Sequence, residues 1–202
     1  MDTNLETRKE IGGLIAIIFA TLAILTIIVV AGTMLFISNL TFEYRAVENN
    51  FPEYFEGQLS ATRSDIIKIM EQEYKNPRSK LEYSDGIDEQ WCADFVSWVY
   101  NSAGHKFKNP ASGGWRIPGV HTLKEYFEAE GRWHDKDSGS IPQPGDVVIY
   151  GGGIFGEHTN IVVSVYYDEL TTVGGNENDK IMMHKVDYND GRYGILGYGS
   201  AE

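Results

Sequence analysis

One stretch limits the architecture of this chain more than any other: Ile11 to Ile37 is almost unbroken apolar sequence and contains no charge. As a helix rising about 1.5 Å per residue it reaches about 40 Å, more than the roughly 30 Å hydrocarbon core of a bilayer. A cleaved signal peptide has an apolar region of only about 7–15 residues before a small-residue cleavage site. The run therefore predicts an uncleaved signal anchor over residues 11–38, preceded by a short cytoplasmic tail, residues 1–10. Arg8 and Lys9 precede it and Arg45 follows it. The positive-inside bias then favours a cytoplasmic N-terminus and an exported C-terminal body, although Asp2, Glu6 and Glu10 dilute the signal. The expected location is the cell membrane, single-pass, with the C-terminal domain extracytoplasmic.

The remainder of the 202 residues suffices for one compact domain. A net charge of −12 without a basic patch excludes nucleic acid as a partner, because phosphates demand clustered Lys and Arg. The single cysteine excludes an intrachain disulfide and a multi-thiolate zinc site. In an oxidising compartment a lone thiol is a liability unless it has a task.

Residues 39–60 read as a juxtamembrane linker, interrupted by Asn49, Asn50 and Pro52, and residues 61–202 as one domain. Ser64 opens an amphipathic helix, and Lys75 to Asp88 is a polar loop. A second helix is expected over Glu89–Ala103, because Cys92, Phe95, Val96 and Val99 fall at i, i+3, i+4 and i+7; Gly104 ends it. After a Gly/Pro-bearing loop, Asn109 to Gly119, a third helix is expected over His121–Glu130, with Phe127 in the core. Strand patterns follow at Val147–Tyr150, Ile161–Tyr167, Leu170–Gly174, Ile181–Val186 and Tyr193–Tyr198. Helices first and strands after predict an α+β fold with an antiparallel sheet.

Cys92 falls near the start of its helix, after the expected cap Asp88, where unpaired amides favour a thiolate. Asp94 should point away from the sulfur. A core role on the apolar face is equally compatible with its spacing. Of the five histidines, His158 stands between a Gly-rich break and a strongly apolar strand, the fixed placement that a general base for a thiol needs. A packed histidine is the alternative there; His105 and His134 lie in polar loops and read as surface residues. Asp135 to Ser140 resembles the start of a calcium loop but lacks Gly at its sixth position. The acidic spacing of Asp85 and Asp88, just ahead of Cys92, is thin for calcium and leaves that ion open there; no other metal or cofactor is expected.

The run from Trp91 to Tyr100, WCADFVSWVY, followed by Ala103-Gly104, resembles the nucleophile helix of CHAP domains, the cysteine, histidine-dependent amidohydrolases/peptidases. Pro144 to Tyr150, then His158, then Ile161-Val162-Val163 is similar to the family's strand–His–strand block. Gly174-Gly175-Asn176 resembles the segment carrying its third catalytic residue. The blocks keep the family's order over roughly residues 62–190.

The resemblance implies a papain-like (CHAP/NlpC-type) domain, with N-terminal helices packed on an antiparallel sheet. It implies Cys92 as nucleophile, His158 as base and Asn176 as orienter. It further implies a peptidoglycan hydrolase cutting the sugar-to-alanine amide or a stem or crossbridge peptide bond. Two departures stand out. His158-Thr159-Asn160 replaces the common His-Val-Gly, and Gly174 occupies a position where many relatives carry Glu, so the orienting role falls to Asn176. The oxyanion would be held by the Cys92 N–H with Gln90 or Trp91. The competing readings are a catalytically silent wall-binding or scaffolding protein of the same fold and a cysteine enzyme acting on protein amides.

Overall fold

The computed structural model describes Gly13, Ile15, residues 17–31, Thr33, residues 51–53 and residues 58–202. The chain divides into two compact units, Met1–Arg45 and Ala46–Glu202. In the first, the described residues are helical (α1), and their large apolar side chains, such as Phe19 and Ile27, are exposed. Among the described residues no helix is long and apolar enough to cross a membrane. The expected anchor, residues 11–38, and the expected linker lie partly outside the described residues.

The second unit begins with α2 (Ala61–Lys75), three residues ahead of the expected Ser64, because the Ser60 side chain accepts from the Arg63 amide and caps it. Within the expected polar loop, Ser79 and Glu82 form a capping box around the short helix α3 (Lys80–Tyr83). Helix α4 (Cys92–Ser102) starts later than expected: Trp91 is its N-cap, and Asp88 instead pairs with Lys80 at 3.1 Å. Gly104, at φ +85°, ends it, with the His105 amide reaching back to the Tyr100 carbonyl. Helix α5 (Val120–Ala129) buries Val120, Leu123, Tyr126 and Phe127 on one face.

Six strands follow: β1 (Trp133–Asp135), β2 (Val147–Gly152), β3 (Gly156–Tyr166), β4 (Glu169–Glu177), β5 (Lys180–Asp187) and β6 (Ile195–Gly199). They form one sheet in the order β1-β6-β2-β3-β4-β5, every pair antiparallel. This is the expected α+β architecture. Strand alternation splits the sheet's side chains between two cores. Val147, Ile149, Ile161, Val163 and Val173 join the helices, while Val148, Tyr150, Val162, Leu170 and Val186 pack with Tyr193 and Tyr198 in a second cluster. Arg63 of α2 ties the layers together: its guanidinium donates to the Asp146 carboxylate at 2.7 Å, to the Pro144 carbonyl and to Ser200.

Candidate active site

Cys92 is the first residue of α4, so its own amide is among those a helix leaves unpaired. Its side chain is 6% exposed, at the margin of the helical core. The imidazole it meets comes from β3. That strand begins at Gly156, earlier than expected, because Gly153–Phe155 form the β2–β3 hairpin turn and pairing resumes immediately after it. His158 is therefore inside the sheet, opposite Tyr150, with the Phe155 ring stacked 5.8 Å away. Burial disfavours the imidazolium, but hydrogen bonding to Cys92, then to Glu177, outweighs it and raises the His158 pKa to about 9.

The carboxylate beside that imidazole belongs to Glu177, a residue outside the expected Cys92, His158 and Asn176. Its Oε1 lies 3.4 Å from His158 Nε2, an ion-pair contact rather than a fully formed hydrogen bond. Its Oε2 is bonded to Nε2 of His184 from β5. Burial raises the Glu177 pKa, yet the two imidazoles outweigh it, and the net shift is downward. The carboxyl group is thus held as an anion although only 4% of the residue is exposed.

Asn176, expected to orient His158, has its amide nitrogen donating to Gln90 Oε1. The cause is a slip in the β4–β5 register: pairing jumps between Gly174 and Glu177, and Asn176 sits at φ +62°. The bulge turns Asn176 out to the rim and Glu177 in. Gly174 and Gly175 permit it. A Cβ on Gly174 would overlap the Asn160 side chain and lie 3.0 Å from Glu177 Oε1, so the space a side chain at 174 would need already holds the Glu177 carboxylate. A Cβ on Gly175 would strike the Trp91 ring and come 2.8 Å from Phe95 Cβ. The adjacent glycines Gly174-Gly175, separated from Glu177 by Asn176, are the local sequence sign of this bulge.

Two further contacts lie beside Cys92. Asp94, buried on α4, is 2.9 Å from Arg116 Nε in the loop before α5, and Arg116 also binds Glu89. Burial, against the pull of Arg116, raises the Asp94 pKa to about 7. The Trp91 indole donates to Asp179 at 3.1 Å, in the β4–β5 turn. A cleft of about 360 Å³ lies beside Trp91, bordered by Arg78, Lys80, Asp179, Lys180 and Ile181. Among the described residues no group of three or more His, Cys, Asp or Glu side chains is placed to hold a metal ion. His105 pairs with Asp65 and His134 stacks on Tyr198, both away from the thiol.

The site thus brings a thiol at a helix N-terminus together with an imidazole and a carboxylate carried by an adjoining antiparallel sheet. The family model of the CHAP domain matches residues 83–176, ending one residue short of Glu177. No curated protein matches the chain. Among solved structures, the crystal structure of Ly7917 aligns at 19% identity and a TM-score of 0.38, covering 54% of this chain and 52% of that one. The crystal structure of Ly7917 with the hydrolyzing product of MDP aligns at 15% identity and a TM-score of 0.42, covering 68% and 62%. The chain thus spans between half and two thirds of the length of these structures.

Proposed function

We propose that this chain is a membrane-anchored cysteine amidohydrolase of the CHAP type, acting on an amide bond of peptidoglycan. The observation that carries this reading is the meeting of Cys92 with His158 at the start of α4, inside the segment that matches the CHAP domain. The same residues would serve an enzyme acting on protein amides; the CHAP match favours wall peptide.

The proposed chemistry starts from a thiolate–imidazolium pair. With Nε2 of His158 turned to Glu177, Nδ1 is left for the sulfur. The Cys92 thiolate attacks the amide carbonyl carbon, and the carbonyl π-pair moves onto oxygen. The Cys92 N–H and the amide of Gln90, whose Oε1 accepts from Asn176, are the donors proposed to hold that oxyanion. On collapse the C–N bond breaks, and His158 gives its proton to the departing amine. Neutral His158 then takes a proton from water, the hydroxide attacks the thioester, and the acid product leaves with the thiolate restored. Glu177 keeps the ring aligned and balances its charge through both steps. The cleft beside Trp91 offers room for peptide flanking the bond.

The bond cut is either the N-acetylmuramoyl-L-alanine amide or a stem or crossbridge peptide linkage. Incubating isolated sacculi with the full-length protein in detergent, beside Cys92→Ala, tests the proposal. New amino groups and solubilised muropeptides from the wild type alone are expected, and mass spectrometry of those fragments names the bond. Equal release by both proteins, or by neither, would overturn the enzyme in favour of a silent wall-binding protein.

A further inference from the structure

We infer that His184 is a positioning residue of this site, the fourth member of a buried array Cys92–His158–Glu177–His184 that sets the reactivity of the sulfur from two residues away. The inference rests on the proposed function, since it assigns work to a side chain that touches neither substrate nor thiol.

The geometry divides the labour of one carboxylate between two rings. Glu177 Oε1 has no hydrogen bond of full geometry, only the 3.4 Å contact with His158. The hydrogen bond that the Glu177 side chain receives comes from His184, through Oε2. Because the carboxylate accepts, Nε2 of His184 carries the proton in this bond. A carboxylate this deeply buried and held by a single ion-pair contact would be driven toward its neutral form by desolvation. A second donor is what the site supplies, and His184 supplies it from the neighbouring strand.

The surroundings fit that role. His184 sits opposite Thr172 on β4 and is 2% exposed, with the edge of the Phe155 ring against it. Phe155 also stacks on His158, so one apolar ring screens both imidazoles from water. The ionisable groups facing the Glu177 carboxylate are His158 from β3, His184 from β5 and, more remotely, the Tyr150 phenol from β2, whose burial keeps it protonated. None of these neighbours is a lysine or arginine, so the charge on Glu177 is balanced by imidazoles. Losing the His184 donor weakens Glu177 as an anion, and with it the hold on imidazolium at His158 and on thiolate at Cys92.

Cys92 is the one cysteine of the chain, so its alkylation by iodoacetamide, followed by intact-protein mass against pH, reads the array without any knowledge of substrate. In the full-length protein in detergent, the wild type should react readily at pH 6. His184→Leu should react about tenfold more slowly there while converging with the wild type near pH 10. His184→Gln, whose amide can still donate to Oε2, should restore most of the low-pH rate. His184→Leu with an unchanged alkylation profile and only a lowered melting temperature would overturn the inference, reducing His184 to packing. A profile that moves neither in His184→Leu nor in His158→Ala would overturn the Cys92–His158 pair itself. A shift in His158→Ala alone would spare the pair and remove only His184. Should His184→Leu not fold, the ring-proton resonances of the unmutated protein decide. A downfield proton on Nε2 of His184 that moves in Glu177→Gln supports the array, and its absence overturns it.

Discussion

Protonation of His158 links chemistry to stability at a single residue. The folded protein holds this imidazole at about 9 against 6.5 for the free side chain, so it keeps a proton that the unfolded chain releases between those values. The resulting stabilisation is fully present below about pH 6.5 and is lost as pH rises through about 9. Melting temperature should therefore fall between pH 7.5 and 9.5, and the fall should flatten in His158→Gln. The alkaline limb of kcat/KM should lie near pH 9 and belong to the Cys–His pair as a whole. Glu177 and Asn176 make a sharper comparison. Glu177→Gln removes the charge beside the imidazolium and should lower kcat by about 100-fold, whereas Asn176→Ala acts only through Gln90 and should cost several-fold less. Assays of both variants on solubilised peptidoglycan check the order, and a larger loss in Asn176→Ala would return the orienting role to the amide. Cys92 and His158 were proposed from the resemblance of their surrounding blocks, because a helical stripe and a strand edge alone also fit a core cysteine and a packed histidine. Glu177 was harder to place, since the paired glycines mark a bulge but do not say which following side chain turns inward. His184 was readable in part: it shares the strand phase of the core residue Val186.

At the scale of elements, the site depends on how closely β4 passes α4. Gly175 lies against Trp91 and Phe95, leaving no space for a methyl group. Gly175→Ala should push the strand away from the nucleophile helix, cost about 1–3 kcal/mol in urea unfolding, and slow Cys92 alkylation at pH 6 as well. A variant as stable and as reactive as wild type would show that the strand adjusts freely. The second brace is the buried pair of Arg63 and Asp146, which joins α2 to the start of β2 and, through the Ala201 amide, to the segment after β6. Burial raises the Asp146 pKa despite Gln143, Arg63 and Ala201. Arg63→Met leaves that carboxylate without its cation and should destabilise by about 3–5 kcal/mol, with partial recovery in Arg63→Met/Asp146→Asn. Chemical unfolding of the single and double variants measures the coupling. Helices α2, α4 and α5 and most strands were legible, because their apolar spacing is strong. What periodicity cannot give is long-range order. The insertion of β6 between β1 and β2, and the brevity of β1, depend on pairings made far apart in the chain.

For the whole molecule, the question is where this chemistry takes place. The proposed anchor rests on the uncharged apolar run over 11–37 and not on surface charge, since a body of net charge −12 gains nothing from anionic lipid. A single tether would restrict a wall hydrolase to the peptidoglycan within reach of the membrane. If residues 11–38 span the bilayer with Arg8 and Lys9 inside, the full-length protein should pellet with membranes and resist alkaline carbonate and high salt. Its C-terminal domain should be cut by protease added to cells stripped of their wall, while remaining protected in inverted vesicles. Deleting residues 1–38 should release the domain into the soluble fraction with Cys92 still reactive at pH 6, because every contact described at the site lies within residues 58–202. Recovery of the intact chain in the soluble fraction would remove the anchor. Protection in wall-less cells with cleavage in inverted vesicles would place the thiol on the cytoplasmic side, where peptidoglycan is absent and an enzyme of protein amides becomes the better reading.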